Sequence, residues 1–305
     1  MYPAFSIIAF TTLSGLGFGA MAWIAIGLGQ SDGLFGWLAA PLAMVFAVAG
    51  LLASTRHLRR PDRAKYALSQ WRSSWLSREG VLAIAALTVF GLYAALWLLF
   101  GWRSGMLGLL AAALSGATVY ATGMIYAQLR TVPRWNTRLT PFCFIAFALA
   151  SGALLVAALV ALTGDDEGRA IGAAVFLLLV AWVAKWMWWK NAEKATLASA
   201  GASIEDATGL GGIGTVRQFE APHTGPNYLL KEMVFEVGRR RATALRKVAL
   251  ALGAGLPLLL MLLSGQLGAP LLILALLAMM AGLMAERWLF FAEAQHAVAA
   301  YYGRR

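Results

Sequence analysis

Apolar residues run through this chain in eight long stretches, with polar and charged residues confined to the gaps between them. The apolar positions do not alternate with polar ones at helical or strand spacing. Each stretch continues for about 20 residues, the length a helix needs to cross a hydrocarbon core about 30 Å thick. Helices are the expected solution, because lipid offers backbone amides no hydrogen-bonding partners. An outer-membrane barrel would read as alternating segments of about ten residues, and none is present. The pattern predicts spans over 5–29, 36–55, 80–101, 105–128, 140–163, 169–190, 247–265 and 270–298. The expected fold is an all-α integral membrane bundle, a single transmembrane domain over 1–305, with one long cytoplasmic connection at 191–246. The first stretch is expected to be a retained span, since Met1 to Ser6 carry no basic residue and the stretch is long for a signal sequence.

Composition agrees with this pattern. The 305 residues are 60% hydrophobic and 13% charged, with a mean hydropathy of +0.70, whereas a soluble domain carries roughly a quarter charged residues. The net charge of +11 would suit nucleic acid, but its distribution points elsewhere. Arg56, Arg59, Arg60, Arg63, Lys65, Arg72 and Arg78 follow the second span, Arg130, Arg134 and Arg138 the fourth, and a further basic set the sixth. The opposite loops hold Arg103 and Arg169 and the acidic run Asp165-Asp166-Glu167. The positive-inside rule makes the basic face cytoplasmic, with both termini on it. The expected partners of that face are anionic lipid headgroups and a docked protein, not nucleic acid. The expected setting, which goes beyond the charge distribution, is a bacterial cytoplasmic (inner) membrane.

Two features of the long connection carry less. Gly209-Leu210-Gly211-Gly212-Ile213-Gly214 matches G-x-G-x-x-G in form, but no hydrophobic strand precedes it, so a loop is expected. Leu229, Leu230, Met233, Val234 and Val237 recur at helical spacing, which predicts an amphipathic helix on the membrane or against a partner. Trp186, Trp188 and Trp189 are expected to form an interfacial aromatic belt.

Ionisable side chains inside membrane helices cost roughly 2.5–3.5 kcal/mol on insertion scales and invite a functional explanation. His57 closes the second span and Glu79 opens the third. Glu286 and Arg287 lie roughly 24 Å from the outer end of the eighth helix, from the rise of about 1.5 Å per residue. Lys185 and Tyr126 fall at similar depth. A quinone site needs such groups: donors to the ring oxygens, and a base to take protons from the quinol. The structural readings of the same residues are a wet His57, an ion pair at Glu286 and a snorkelling Lys185. Haem needs facing histidines. The chain has only His57, His223 and His296, so a four-histidine dihaem arrangement is excluded and no haem is expected. Cys143, the single cysteine, allows no intrachain disulfide and no cysteine-ligated iron–sulfur or zinc site. A secondary transporter or channel using the same buried charges is the alternative. Gly15, Gly17 and Gly19 permit close helix approach in either case, but no matching broken helices mark two transporter halves.

Four segments bring a known family into view. These are Pro3-Ala4-Phe5-Ser6 leading into Thr11-Thr12-Leu13-Ser14-Gly15, His57-Leu58-x-x-Pro61, Trp75-Leu76-Ser77-Arg78-Glu79, and Tyr126-x-x-x-x-Thr131-Val132-Pro133-x-Trp135. Glu286-Arg287 followed by His296 is a weaker fifth. The chain resembles the DmsC family, the membrane anchors of dimethyl sulfoxide reductase-like molybdenum enzymes, and is similar to the anchors of sulfite dehydrogenases. The resemblance implies a subunit that binds menaquinol or ubiquinol and carries no haem. It also implies partners: a four-cluster iron–sulfur subunit and a molybdopterin catalytic subunit, which alone hold those cofactors. The family's quinol-associated His and Glu fall on His57 and Glu79, with Tyr126, Glu286 and Arg287 as further quinone-site candidates. Arg59, Arg60, Arg130 and Arg134 are the candidate docking residues. Arg78, the Arg59-Arg60 pair and the long 191–246 connection depart from the family's best-known pattern, and leave the terminal substrate open between sulfoxide and sulfite.

Overall fold

The computed structural model describes residues 3–29, 33–55, 66, 68–164, 167–197, 200, 201, 203–217, 219, 220 and 242–302. Eight helices among them are long and apolar enough to cross a membrane. They are α1 (Phe5–Ala25), α2 (Leu34–Thr55), α3 (Trp75–Phe100), α4 (Gly105–Ala127), α5 (Leu139–Thr163) and α6 (Gly168–Lys194). Helix α7 runs Ala242–Leu250, through a π turn Ala251–Gly255, into Leu256–Leu267, and α8 is Ala269–Ala292. No strand occurs among the described residues.

Helices α1 and α5 form the centre, and most of their side chains are buried. Small residues allow that approach. A Cβ on Gly19 would sit 1.9 Å from Ala148 O, and one on Gly152 would sit 2.3 Å from Ala20 N. Helix α2 lies on α1 through Gly17 and Gly50, whose missing Cβ atoms would collide with Ala47 N and Ser14 N. In lipid no hydrophobic force gathers the helices, so such close backbone packing carries the association. Helix α4 packs on α1, α3 and α5, while α6 packs on α5. Helix α8 packs on α5 and α1 and carries α7 on its other side.

The π turn in α7 has a local cause. The amide that would reach Gly253 O belongs to residue 257, which is proline and has none. Trp182 Nε1 of α6 donates to that carbonyl instead, at 2.8 Å. Gly253 also faces Gly282 of α8, where a Cβ would lie 2.2 Å from Gly253 Cα.

Several boundaries differ from the sequence expectation. Helix α1 stops at Ala25 because Gly27 and Gly29 take left-handed backbone, φ 91° and 75°. Helix α3 starts at Trp75, capped by Ser74 Oγ, which accepts from Ser77 N at 3.4 Å. Glu79 therefore sits inside the helix and does not open it. Helix α8 ends at Ala292, so His296 lies beyond it. In the long connection, a one-turn helix Ile204–Thr208 ends at Gly209 with φ 68°, and the glycine run continues as exposed turns. The amphipathic segment at 229–237 and His223 lie outside the described residues.

Candidate functional site

Glu79, Tyr126, Lys185, Glu286 and Arg287 come together in the half of the bundle nearest the basic loops. Helix α3 turns Arg78 outward and Glu79 inward. The Arg78 guanidinium donates to Trp71 O and Arg72 O, at 2.9 and 2.6 Å, and stacks on Trp75. One residue on, Glu79 is buried and its Oε1 meets Thr122 Oγ1 of α4. Thr122 Oγ1 also lies 3.1 Å from Thr118 O. A hydroxyl has one proton to give, so the Glu79–Thr122 contact is a place where a carboxyl proton can sit.

Behind Thr122 is a cavity of about 20 Å³, lined by the hydroxyls of Thr11, Thr12, Ser14 and Ser151 and by Arg287. It has room for about one water molecule. The hydroxyls of α1 donate back to their own helix, Thr12 to Ile8 O at 2.6 Å and Ser14 to Phe10 O at 2.6 Å. Their lone pairs remain for a guest.

Arg287 is the far wall of this cavity and one member of a buried ion triad. Lys185 Nζ is 2.5 Å from Glu286 Oε1, and Arg287 Nε is 3.3 Å from Glu286 Oε2. Lys185 is 1% exposed and Glu286 0%, so Lys185 does not snorkel and Glu286 is paired. Aromatic rings replace water around the cations. Lys185 Nζ lies 3.7 Å from the Trp188 ring centre, and the Arg287 guanidinium lies 3.7 Å from that of Phe144. Two cations face one anion here; Glu79, across the cavity, brings a second acid.

The belt expected of Trp186, Trp188 and Trp189 is corrected by this arrangement. Only Trp186 is exposed. Trp188 and Trp189 turn inward, Trp188 Nε1 donating to Thr140 Oγ1 at 2.9 Å. Tyr126 is buried among rings, its centroid 5.3 Å from Trp135, 5.6 Å from Phe144 and 5.4 Å from Phe290. Trp135 stacks on Phe290 and donates to its carbonyl at 2.9 Å. The Thr131-Val132-Pro133-x-Trp135 turn thus plugs this end of the bundle, with Ala297 N on Thr131 O at 2.8 Å.

Outside the plug, Glu293 accepts from Arg134 at 3.3 Å and from Arg246 at 3.0 Å, and Arg246 also reaches Glu193 at 2.9 Å. Of the candidate docking residues, Arg134 is held in this network and Arg130 is exposed. His57, Arg59 and Arg60 lie outside the described residues. His296 accepts from Val298 N through Nδ1 at 3.1 Å, and burial pushes its pKa below the usual histidine value. Sequence reasoning missed Thr122, Ser151 and Glu293. The available signal was hydroxyls four residues apart in apolar helices, Thr118 and Thr122, which also occur wherever a hydroxyl merely bonds its own helix.

A family described as DMSO reductase anchor subunit (DmsC) matches residues 1–292. The chain belongs to this family. A sulfite dehydrogenase subunit from Allochromatium vinosum is 34% identical to it over 99% of both chains. With the eight apolar helices, membership makes the chain a multi-pass membrane protein of the anchor-subunit type. The matched span contains the α1 hydroxyls, the Trp75–Glu79 start of α3, the Tyr126–Trp135 plug and the ion triad.

Proposed function

We propose that this chain anchors a molybdopterin oxidoreductase in the cytoplasmic membrane and exchanges electrons and protons between the quinone pool and the complex's iron–sulfur subunit. The carrying observation is Glu79: a buried carboxyl held by a hydroxyl, next to a polar cavity, at the basic end of an otherwise apolar bundle. The small-molecule partner is a quinone/quinol couple, menaquinone or ubiquinone, whose oxygens the donor set fits. Glu79 holds the exchanged proton at its carboxyl, and Thr122 fixes that carboxyl's orientation. His57, which follows α2 in the chain, is the second proton-exchanging group of this reading. The ion triad sets the local field without touching the ring. Electrons pass between this site and an iron–sulfur partner docked on the basic loops, Arg59, Arg60, Arg130 and Arg134 among them. A molybdopterin partner performs the terminal chemistry. The full-length likeness to a sulfite dehydrogenase subunit favours sulfite as the electron donor and quinone as acceptor, over sulfoxide reduction.

The test is the affinity-purified complex. Iron and molybdenum should arrive with two soluble subunits, and sulfite should drive quinone reduction. Glu79→Gln should slow that turnover by about 10²–10⁴-fold, the usual worth of a positioned acid–base group, with the subunits still assembled. A metal-free chain that purifies alone and moves solutes by itself would establish the transporter reading instead.

A further inference from the structure

A hydroxyl in an apolar helix gives its proton to its own backbone and keeps its lone pairs. The cavity of about 20 Å³ behind Thr122 collects several such groups, from Thr11, Thr12 and Ser14 of α1 and Ser151 of α5, and sets them against Arg287 of α8. Ser151 Oγ donates to Phe147 O at 2.8 Å, as Thr12 Oγ1 does to Ile8 O. These walls are acceptors, and Arg287 is the donor. Its Nε serves Glu286 Oε2, and a guanidinium has four further N–H groups. A site of this size and polarity suits one water making about three hydrogen bonds. Thr122 is the wall that connects it to Glu79, whose Oε1 meets Thr122 Oγ1.

We infer that Arg287 is the counter-charge of Glu79, connected to it through one water bound in this cavity and through Thr122, and so positions that carboxyl for proton exchange. With Glu79 ionised, donation runs one way: Arg287 to the water, the water to Thr122 Oγ1, and Thr122 to the carboxylate. Each link polarises the next. With Glu79 protonated the last link reverses. The carboxyl gives to Thr122 Oγ1, and the Thr122 proton turns to Thr118 O at 3.1 Å. Charge supports the assignment. Two cations and one anion leave the triad one positive charge in excess, and an ionised Glu79 balances it. The elements packed on α3 offer no other cation among the described residues: α1, α2 and the turn Leu68–Gln70 carry no ionisable side chain, and α4 brings only Tyr120 and Tyr126, phenols that ordinarily titrate near pH 10. Arg78 is turned outward to the Trp71 and Arg72 carbonyls, and Arg72 lies over Trp71. Lys185 is not a wall of the cavity. The inference rests on the reading of Glu79 as the proton-exchanging group, and its test needs no quinone.

The test is infrared titration of the purified full chain in mild detergent. It follows the C=O stretch of the protonated Glu79 carboxyl, assigned as the band that Glu79→Gln removes. Arg287→Gln should move the midpoint of that titration to higher pH by about one unit, the low end of what a nearby opposite charge does, because the ionised form loses its cation. Arg287→Lys keeps the charge on this wall and should stay closer to wild type. Lys185→Met removes the triad's other cation and should move the midpoint less than Arg287→Gln does. Ser151→Val puts a methyl in the water's place and leaves every charge, so it should move the midpoint the same way; it is the deciding variant if Arg287→Gln does not accumulate. An unmoved midpoint in Arg287→Gln or Ser151→Val, or a wild-type Glu79 band that does not titrate, overturns the proposal. Equal shifts in Arg287→Gln and Lys185→Met also overturn it, since they would show a diffuse field in place of a bridge. The quinone reading fails separately, in an assembled complex whose turnover ignores Glu79→Gln.

Discussion

The ion triad makes an asymmetric prediction about its own members. Glu286 serves both Lys185 and Arg287, at 2.5 and 3.3 Å. Replacing it with glutamine strands two buried cations. Removing one partner of a buried pair costs about 3–5 kcal/mol, and the upper end applies with two cations exposed to each other. Lys185→Met is a different loss. It keeps the volume and leaves Glu286 with Arg287, a neutral pair. The cost is one ion-pair contact and the cation–π contact with Trp188, about 1–3 kcal/mol in all. Glu286→Gln should therefore be the more damaging variant by about 2–4 kcal/mol. The double variant should cost less than the two singles added, since Lys185 is no longer there to be stranded. The assay is reversible unfolding of the purified chain in mixed micelles, read as a double-mutant cycle. If Lys185→Met costs as much as Glu286→Gln, or if the singles add, the triad does not work as a shared acid between two cations.

Three further outcomes follow from single positions. Thr122→Val removes the hydroxyl on Glu79 at constant shape and should slow quinone-linked turnover about 10–100-fold, the range of a hydrogen bond to a charged group; Thr122→Ser should restore it. Gly152→Leu places side chain where Ala20 N already lies, so the chain should fail to accumulate, whereas Gly172→Ala, with nothing within 4 Å, should match wild type on an immunoblot of membranes. His296 has a pKa below its unfolded value of about 6.5, so the unfolded chain binds more protons on the acid side. Its contribution is whole above that pH and is lost as pH falls through the folded pKa; thermal unfolding of His296→Gln between about pH 7 and pH 5 should fall less steeply than wild type.

The eight spans were legible because their signal is continuous and needs no knowledge of neighbours. Their ends were less so. A cap such as Ser74 or a left-handed pair such as Gly27 and Gly29 decides where α3 begins and α1 stops, and an apolar average smooths over both. Depth was legible as well: counting from the helix ends put Glu286, Lys185 and Tyr126 at one level. Which of them touch was not, because helix order is a tertiary fact. Lys185 read alone has a long stem that could reach water, and its pairing with Glu286 appears only once α6 and α8 share the aromatic wall of Trp188 and Phe290. The inward turn of Trp188 and Trp189 was hidden for the same reason.

The same pairing sets a timing problem for the ribosome. Lys185 enters the bilayer on the sixth span, while the codon for its acid lies two spans downstream. At about 5–20 residues per second, the cation waits roughly five to twenty seconds before Glu286 is even made. Arg134 waits likewise for Glu293 at the end of that last helix. A chain truncated before α8 therefore keeps its basic groups and loses the acids that quiet them, so completion of the final helix is what turns a set of membrane-averse segments into an anchor.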